Sequence, residues 1–133
     1  MIDGEIYNID FKGYIGFEIN DTHLGVIYTI SNIKNMVLCV PLTSPKEKHF
    51  RSYDNFIKRN YLKLSHSNYV FIKQTDSIAL LDQIKFISVN RVLNPMLLNK
   101  KNVILNNKEQ ILLKEKNYKI FTFSFIFLLF NKI

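Results

Sequence analysis

Two short runs of apolar and β-branched residues, separated by only five residues, constrain the fold of this chain most. The first run is LGVIYTI (residues 24–30), the second is MVLCVPL (36–42), and SNIKN lies between them. Because strand-forming runs joined by a short polar segment form hairpins, this pattern predicts two paired antiparallel strands. Residues 5–11 (EIYNIDF) predict a further strand, which ends before a Lys-Gly turn.

The rest of the 133-residue chain mixes helical and strand-like patterns, and its length suits one domain. Between Lys46 and Leu64, aromatic and apolar residues recur at steps of three and four, which predicts an amphipathic helix. Further strands are predicted at 69–72, 77–81 and 82–87, a chain break at Asn94-Pro95, and a helix at 107–117. The Phe-rich tail at 120–130 falls short of the ~20 residues of a membrane-spanning helix, so we expect a final packed segment and no membrane partner.

Basic residues outnumber acidic ones, and they are unevenly placed. The chain has 18 Lys and Arg against 11 Asp and Glu, which gives a net charge of +7. Residues 1–33 hold five acids and one lysine, whereas residues 34–66 hold seven basic residues and two acids. A basic surface of this kind suits a polyanionic partner such as nucleic acid. The acidic opening sequence and a single cysteine inside an apolar run (Cys39) lead us to expect a cytoplasmic protein with a buried thiol.

The second apolar run ends in hydroxyl groups and positive charge. The stretch VPLTSPKEKHF places Thr43 and Ser44 at the end of the predicted strand, and Lys46, Lys48 and His49 follow. Hydroxyls and cations held in fixed positions can stabilise a phosphate on which charge develops. The same residues would also form an ordinary turn, in which Ser and Thr bond nearby backbone groups. The spacing alone leaves both interpretations open.

The predicted helix that follows carries basic residues among its aromatic ones: Arg51, Lys58, Arg59 and Lys63. Proteins grip single-stranded RNA by aromatic stacking combined with phosphate contacts. At helical spacing, however, the aromatic residues also suit a hydrophobic core and the cations a solvated face. An RNA-binding surface is therefore one of two interpretations of this segment.

Other kinds of catalytic site find little support in the sequence. It contains no G-x-S-x-G, P-loop, dinucleotide-binding or H-E-x-x-H motif, and no Cys/His pattern typical of zinc. Asp3 and Glu5 would share one face of the first strand, but Asp10 falls on the opposite face. We therefore expect neither a bound metal nor a cofactor.

Four segments stand in an order and spacing that together are fairly specific. They are Gly4 to Phe11 (GEIYNIDF), Val40 to Ser44 (VPLTS), Asp76 to Lys85 (DSIALLDQIK) and Arg91 to Leu93 (RVL). Over about residues 4–93, this series resembles the MazF/PemK superfamily of endoribonuclease toxins. The segment HLGVI followed by VPLTS is closest to the ToxN-like branch, whose antitoxin is a repeat RNA. MazF-type members carry Arg-Pro before the second strand, where this chain has His23-Leu24-Gly25.

The resemblance implies an α+β fold, a compact SH3-like antiparallel β-barrel with inserted and C-terminal helices. It implies a single toxin domain over residues 1–133, with 94–133 as a C-terminal extension packed on the barrel. The activity implied is metal-independent, sequence-selective cleavage of single-stranded RNA, which leaves 2′,3′-cyclic phosphate and 5′-hydroxyl ends.

Roles for individual residues follow from the same resemblance. Thr43 and Ser44 are expected to hold the phosphate, Lys46 to neutralise it, and His23 to transfer protons in the arginine's place. A wider basic and polar set is expected to contact RNA: Lys48, His49, Arg51, Lys58, Arg59, Lys63, Gln83 and Lys85.

Two partners are implied, the substrate mRNA and a repeat RNA antitoxin that joins several toxin copies into a closed assembly. Two alternatives stay open. One is a type II toxin of the same superfamily that is inhibited by a protein antitoxin. The other is a non-catalytic RNA-binding barrel, which would explain the basic surface without any role for Thr43 or His23.

Overall fold

The structure, a computed structural model, describes residues 1–13, 20–30, 35–44, 61–65, 68–69 and 76–116. The strands in these ranges are β1 (Ile6–Asp10), β2 (Thr22–Ile30), β3 (Met36–Thr43), β4 (Tyr61–Leu64), β5 (Ser77–Leu80), β6 (Lys85–Ser88), β7 (Val92–Pro95), β8 (Leu97–Leu98) and β9 (Lys101–Asn102). Two short 3-10 helices span Leu81–Gln83 and Val89–Arg91. An α-helix, α1, begins at residue 107 and is described to residue 116.

Seven of these strands form one antiparallel sheet. Its order is β4-β5-β3-β2-β1-β7, and β6 also pairs with β3, while β8 and β9 form a separate hairpin. A mostly antiparallel sheet followed by a helix is an α+β fold, consistent with a MazF/PemK barrel-like domain. The predicted fold class is confirmed.

The predicted hairpin between the first two apolar runs is confirmed as β2 and β3. Their ladder runs from Gly25 opposite Pro41 to Ile30 opposite Val37. The other edge of β3 is shared, because its first four residues pair with β6 and its last two pair with β5. The 3-10 helix Leu81–Gln83 spans the step from β5 to β6. β3 is therefore hydrogen-bonded along both edges and lies inside the sheet.

Three sequence-based predictions of local structure are wrong in the described ranges. Residues 61–64, predicted as the end of a helix, form β4, in which Leu62 and Leu64 are buried while Lys63 points to solvent. Asn94-Pro95 does not break the chain but ends β7. This strand lies at an edge of the described sheet, where the missing N–H of proline is tolerated. Tyr69 lies outside any strand; residues 46–60 and 70–75 lie outside the described ranges.

The other predicted elements agree with the structure to within a few residues. The strand predicted at 77–81 is β5, and the one predicted at 82–87 is reduced to β6 because a 3-10 helix occupies its start. The helix predicted at 107–117 is α1. The tail at 120–130 is not among the described residues. None of the helices in the described part of the chain is long and apolar enough to cross a membrane.

The sheet buries apolar side chains on both faces. On one face, alternate strand residues such as Ile6, Val26 and Val40 pack with Leu113 of α1. On the other face, Ile9, Phe11, Ile27 and Cys39 form a second cluster. Cys39 is fully buried, as predicted, and burial raises its pKa to about 12 although Lys85 acts in the opposite direction. Strands with two buried faces explain why both runs of the hairpin are almost continuously apolar.

Polar contacts fix α1 to the sheet. The Asn106 side chain caps the helix by accepting a hydrogen bond from the Glu109 backbone N–H at 2.8 Å. The Tyr69 hydroxyl accepts from the Asn106 N–H and donates to the buried Glu109 carboxylate. Burial, followed by this bond to Glu109, raises the pKa of Tyr69 above its usual range. Further along, Lys116 Nζ donates to the Tyr61 carbonyl oxygen at 2.8 Å, which ties the helix to β4.

Arg91 joins the end of β1 to the segment before β7. Its Nη1 donates to the carbonyl oxygens of Asp10 and Lys12, at 3.1 and 2.8 Å. We expect Arg91→Lys to lower the free energy of unfolding by about 2 kcal/mol, because hydrogen bonds from a charged donor contribute more than neutral ones and an ammonium cannot reproduce the guanidinium geometry. Urea unfolding would measure this, with exposed Lys114→Ala as the control. Equal midpoints for Arg91→Lys and wild type would contradict the assigned role.

Candidate active site

The last residue of β3 is Thr43, and it lies where the sequence predicted a strand to end. Thr43 is half-buried and pairs with Ile78 of β5, while the next residue, Ser44, is exposed. The ladder holds the Thr43 backbone, so its hydroxyl is carried on a rigid element rather than on a loop. Ser44, by contrast, is the first residue after the ladder.

His23 lies at the same end of the sheet as Thr43, on the neighbouring strand. It is the second residue of β2, is half-buried and pairs with Ile9 of β1. The β2–β3 ladder stops at Gly25 opposite Pro41, and His23 and Thr43 each lie two residues beyond this pair. Because side chains two residues apart on a strand share a face, both point to the same side of the sheet.

The side chains of His23 and Thr43 have no polar partner among the described residues. Within the described ranges, the His23 imidazole and the Thr43 hydroxyl make no hydrogen bond or ion pair. Gly25, next to them on this face, has Ile9 packed over it, since a Cβ there would lie 2.5 Å from Ile9 Cδ1. The apolar second cluster thus extends up to the edge of the His23–Thr43 position.

Lys63 is the third predicted site residue at this end of the sheet. It pairs with Ile78 across β4 and β5, and Ile78 in turn pairs with Thr43, so the three residues form one row on the same face. Lys63 Nζ lies 3.0 Å from Asp76 Oδ2 in an ion pair. Four of the predicted residues thus lie at the same end of the sheet, on three different strands and the residue after one of them: His23, Thr43, Ser44 and Lys63.

Gln83 and Lys85 lie elsewhere along β3. Gln83 is half-buried in the 3-10 helix between β5 and β6, and Lys85 begins β6 opposite Cys39. Lys85 Nζ lies 5.8 Å from the centre of the Phe11 ring, a cation–π distance. Cys39 is four residues from Thr43, which is about 13 Å along a strand. Lys85 is thus separate from the His23–Thr43 end.

Six of the predicted site residues lie outside the described residues, so the structure tells nothing of their positions. They are Lys46, Lys48, His49, Arg51, Lys58 and Arg59.

Asp82 lies beside Gln83 in the same 3-10 helix, and so away from the His23–Thr43 end; the sequence did not single it out, although it belongs to the DQIK segment. Its Oδ2 is 3.5 Å from the Tyr61 hydroxyl. Burial raises the pKa of the Asp82 carboxyl, partly offset by hydrogen bonds, and burial followed by the Asp82 charge raises the pKa of Tyr61. Asp82 is exposed as a residue, so water moderates this shift.

The sign of the Asp82 shift has a consequence for stability. A raised pKa means that the folded state binds this proton more tightly than the unfolded chain does. The stabilisation is complete below the ordinary pKa of an aspartate and is lost as the pH rises through the raised value.

No group of three or more His, Cys, Asp or Glu side chains is arranged to hold a metal ion in the part of the chain that the structure describes. The chemistry that the described site offers is that of hydroxyl, imidazole, carboxyl and ammonium groups.

A family model described as "PemK-like, MazF-like toxin of type II toxin-antitoxin system" matches residues 2–111. The match includes β1 to β9 and the first turn of α1, and it extends beyond the four segments that carry the resemblance. No curated protein matches the chain.

Proposed function

The chain belongs to the PemK-like, MazF-like toxin family, and we propose that it is a sequence-selective endoribonuclease toxin that cuts single-stranded RNA without a metal ion. The observation that carries this proposal is the common position of His23 and Thr43. They lie on neighbouring strands, at the same end and on the same face of the sheet. An RNA phosphate at this end would meet a hydroxyl and an imidazole together.

The proposed reaction is an internal transesterification. The 2′-oxygen of the ribose attacks phosphorus, the bond from phosphorus to the 5′-oxygen breaks, and the products end in a 2′,3′-cyclic phosphate and a 5′-hydroxyl. The 2′-hydroxyl gives its proton to a base, and the leaving 5′-oxygen gains a proton. His23 is our first choice for the residue that transfers protons. Thr43 and Ser44 donate hydrogen bonds to the phosphate oxygens, and Lys46 neutralises the charge that develops there.

Binding of the RNA strand is proposed to involve further basic and polar side chains: Lys48, His49, Arg51, Lys58, Arg59, Lys63, Gln83 and Lys85. The net charge of +7 supports this, because neutralised phosphates release counterions and so favour binding. We expect the protein to act in the cytoplasm, where its RNA substrates are.

For the antitoxin, we propose a repeat RNA that joins several toxin copies into a closed assembly, as in a type III system. Support comes from the ToxN-like form of residues 23–27 and 40–44 and from the basic charge. A protein antitoxin is the second candidate, and the description of the matching family, which names type II systems, favours it. To separate the RNA antitoxin from the protein antitoxin, the toxin would be expressed together with its native neighbouring locus and purified as a complex. Release of active toxin by an added ribonuclease supports the RNA, and release by a protease supports the protein.

The experiment that tests the activity is RNA cleavage in excess EDTA, followed by analysis of both product ends. We expect cleavage to persist in EDTA and to leave cyclic phosphate at the 3′ ends. Tight RNA binding by a folded protein that cuts nothing would instead support the non-catalytic barrel. Cleavage that EDTA abolishes would contradict the proposed mechanism.

A further inference from the structure

The ion pair between Lys63 and Asp76 lies beside the proposed cleavage site, and Asp76 has no part in the mechanism proposed above. Lys63 Nζ is 3.0 Å from Asp76 Oδ2, and the Lys63 side chain is 70% exposed while that of Asp76 is 29% exposed. An exposed pair of this kind contributes at most about 1 kcal/mol to stability. The ion pair therefore does little for stability, but it fixes the position of the Lys63 ammonium.

The pairing of the strands sets the direction in which the lysine points. Leu64 pairs with Ser77, so Asp76 lies one step beyond the β4–β5 ladder and diagonal to Lys63. β3 runs antiparallel to β5 with Thr43 opposite Ile78, so Asp76, two residues before Ile78, lies at the end of the sheet where Thr43 lies. The ion pair thus draws the Lys63 ammonium towards the end of the sheet where the two hydroxyls lie.

The backbone of Lys63 lies close to that of Thr43. Lys63 and Thr43 are separated by one strand, about 9–10 Å between their backbones. The intervening residue, Ile78, is buried and apolar, so no side chain charge lies between them in the row. An ammonium group has three N–H donors, and one bond to Asp76 leaves others for a phosphate oxygen.

We propose that Lys63 is a phosphate-binding cation of the cleavage site and that Asp76 is the positioning residue that holds it there. This inference rests on the proposed RNA cleavage. Without Asp76, a lysine with four rotatable bonds would have to be ordered when RNA binds, at a cost in side-chain entropy. With Asp76, that ordering is already present in the free protein.

The sign of the Asp76→Asn effect separates positioning from simple charge. Removal of a carboxylate near the RNA path makes the surface more positive, so a purely electrostatic role predicts tighter RNA binding. Positioning predicts the reverse, and we expect kcat/KM to fall by about threefold in Asp76→Asn. For Lys63→Ala we expect a fall of about tenfold, since a charge-assisted hydrogen bond is lost.

Salt dependence and coupling give two further readouts. In single-stranded RNA, each neutralised phosphate contributes about 0.7 to the slope of log affinity against log salt, so Lys63→Ala should lower the slope by about that amount. Lys63→Arg, which keeps the positive charge, should leave this slope unchanged. In a double-mutant cycle, Asp76→Asn should lower kcat/KM much less once Lys63 is alanine. The exposed Lys114→Ala on α1 is the matched control, with slope and kcat/KM unchanged.

The affinity of the same variants for a fluorescent single-stranded RNA would also be measured. This tests the role of Lys63 independently of whether the protein cleaves RNA. If wild type binds RNA but does not cut it, the proposed function fails while the salt slopes still decide the role of Lys63. Unchanged slopes in Lys63→Ala, or an equal effect of Asp76→Asn with and without Lys63, would overturn the inference. Urea midpoints close to that of wild type would show that all variants remain folded.

Discussion

Thr43→Ala is expected to lower the rate of RNA cleavage by about 10²–10³-fold, the loss typical when one preorganised donor to a developing oxyanion is removed. Thr43 ends β3 and is half-buried, with its backbone fixed by the pairing to Ile78. The methyl and hydroxyl groups are lost, but the ladder remains, so the free energy of unfolding should change far less than the rate. Single-turnover cleavage of a defined RNA, beside urea unfolding, would measure both quantities.

The matched control is Thr29→Ala, a change of the same chemistry at the opposite end of β2. Thr29 is half-buried and pairs with Leu38, far along the sheet from Thr43. Its cleavage rate should stay within a factor of a few of wild type. Thr43→Ser, which keeps the hydroxyl, should retain most of the activity. A Thr43→Ala protein that cuts RNA as fast as wild type would remove Thr43 from the mechanism.

Phe11→Ala should have the largest effect on stability. Phe11 directly follows β1, is fully buried in the second cluster and carries the Lys85 ammonium near its ring. Truncation of a buried phenylalanine removes apolar contact and leaves a cavity, at a cost of about 3–5 kcal/mol. In a domain whose whole stability is about 5–15 kcal/mol, this change should lower the midpoint of urea unfolding sharply.

Phe86→Ala provides the comparison for the same chemical change at an exposed position. Phe86 lies in β6 and is 56% exposed, so its truncation should change the free energy of unfolding by no more than about 0.5 kcal/mol. Similar losses in the two variants would mean that Phe11 is not part of a well-packed core. Unfolding followed by circular dichroism is sufficient for both.

The parts of the fold that local pattern determines could be predicted from the sequence. The β2–β3 hairpin follows from two β-branched runs. α1 follows from the helical spacing of Glu109, Leu112, Leu113 and Lys116. The predictions that failed concern residues whose conformation depends on pairing within the sheet rather than on local sequence. Residues 61–64 continue an apparent helical pattern, yet as β4 they alternate between buried and exposed against β5. Pro95 is acceptable in β7 because that strand lies at an edge of the described sheet.

Residues proposed for the candidate site could be named from the sequence, whereas their arrangement could not. Thr43 and Ser44 stood out because a strand-like run ended in hydroxyls, and His23 stood out through the family resemblance. That His23 and Thr43 share a face follows only from the register of β2 against β3, which no local signal specifies. Asp76 and Asp82 gave no signal as isolated acids, because their partners, Lys63 and Tyr61, lie more than ten residues away in the sequence.

The position of β3, bonded along both edges, has a consequence for how such a toxin could be silenced. Strands inside a sheet open only when most of the domain unfolds, whereas edges and loops open with little free energy. Thr43 ends this strand, two residues beyond its last pair with β2, but its backbone stays in the ladder with Ile78 of β5, so fraying of β2 alone would not take its hydroxyl out of position. An antitoxin that blocks the proposed site would then act by covering it or by competing with RNA for it, and its release would leave the site already formed.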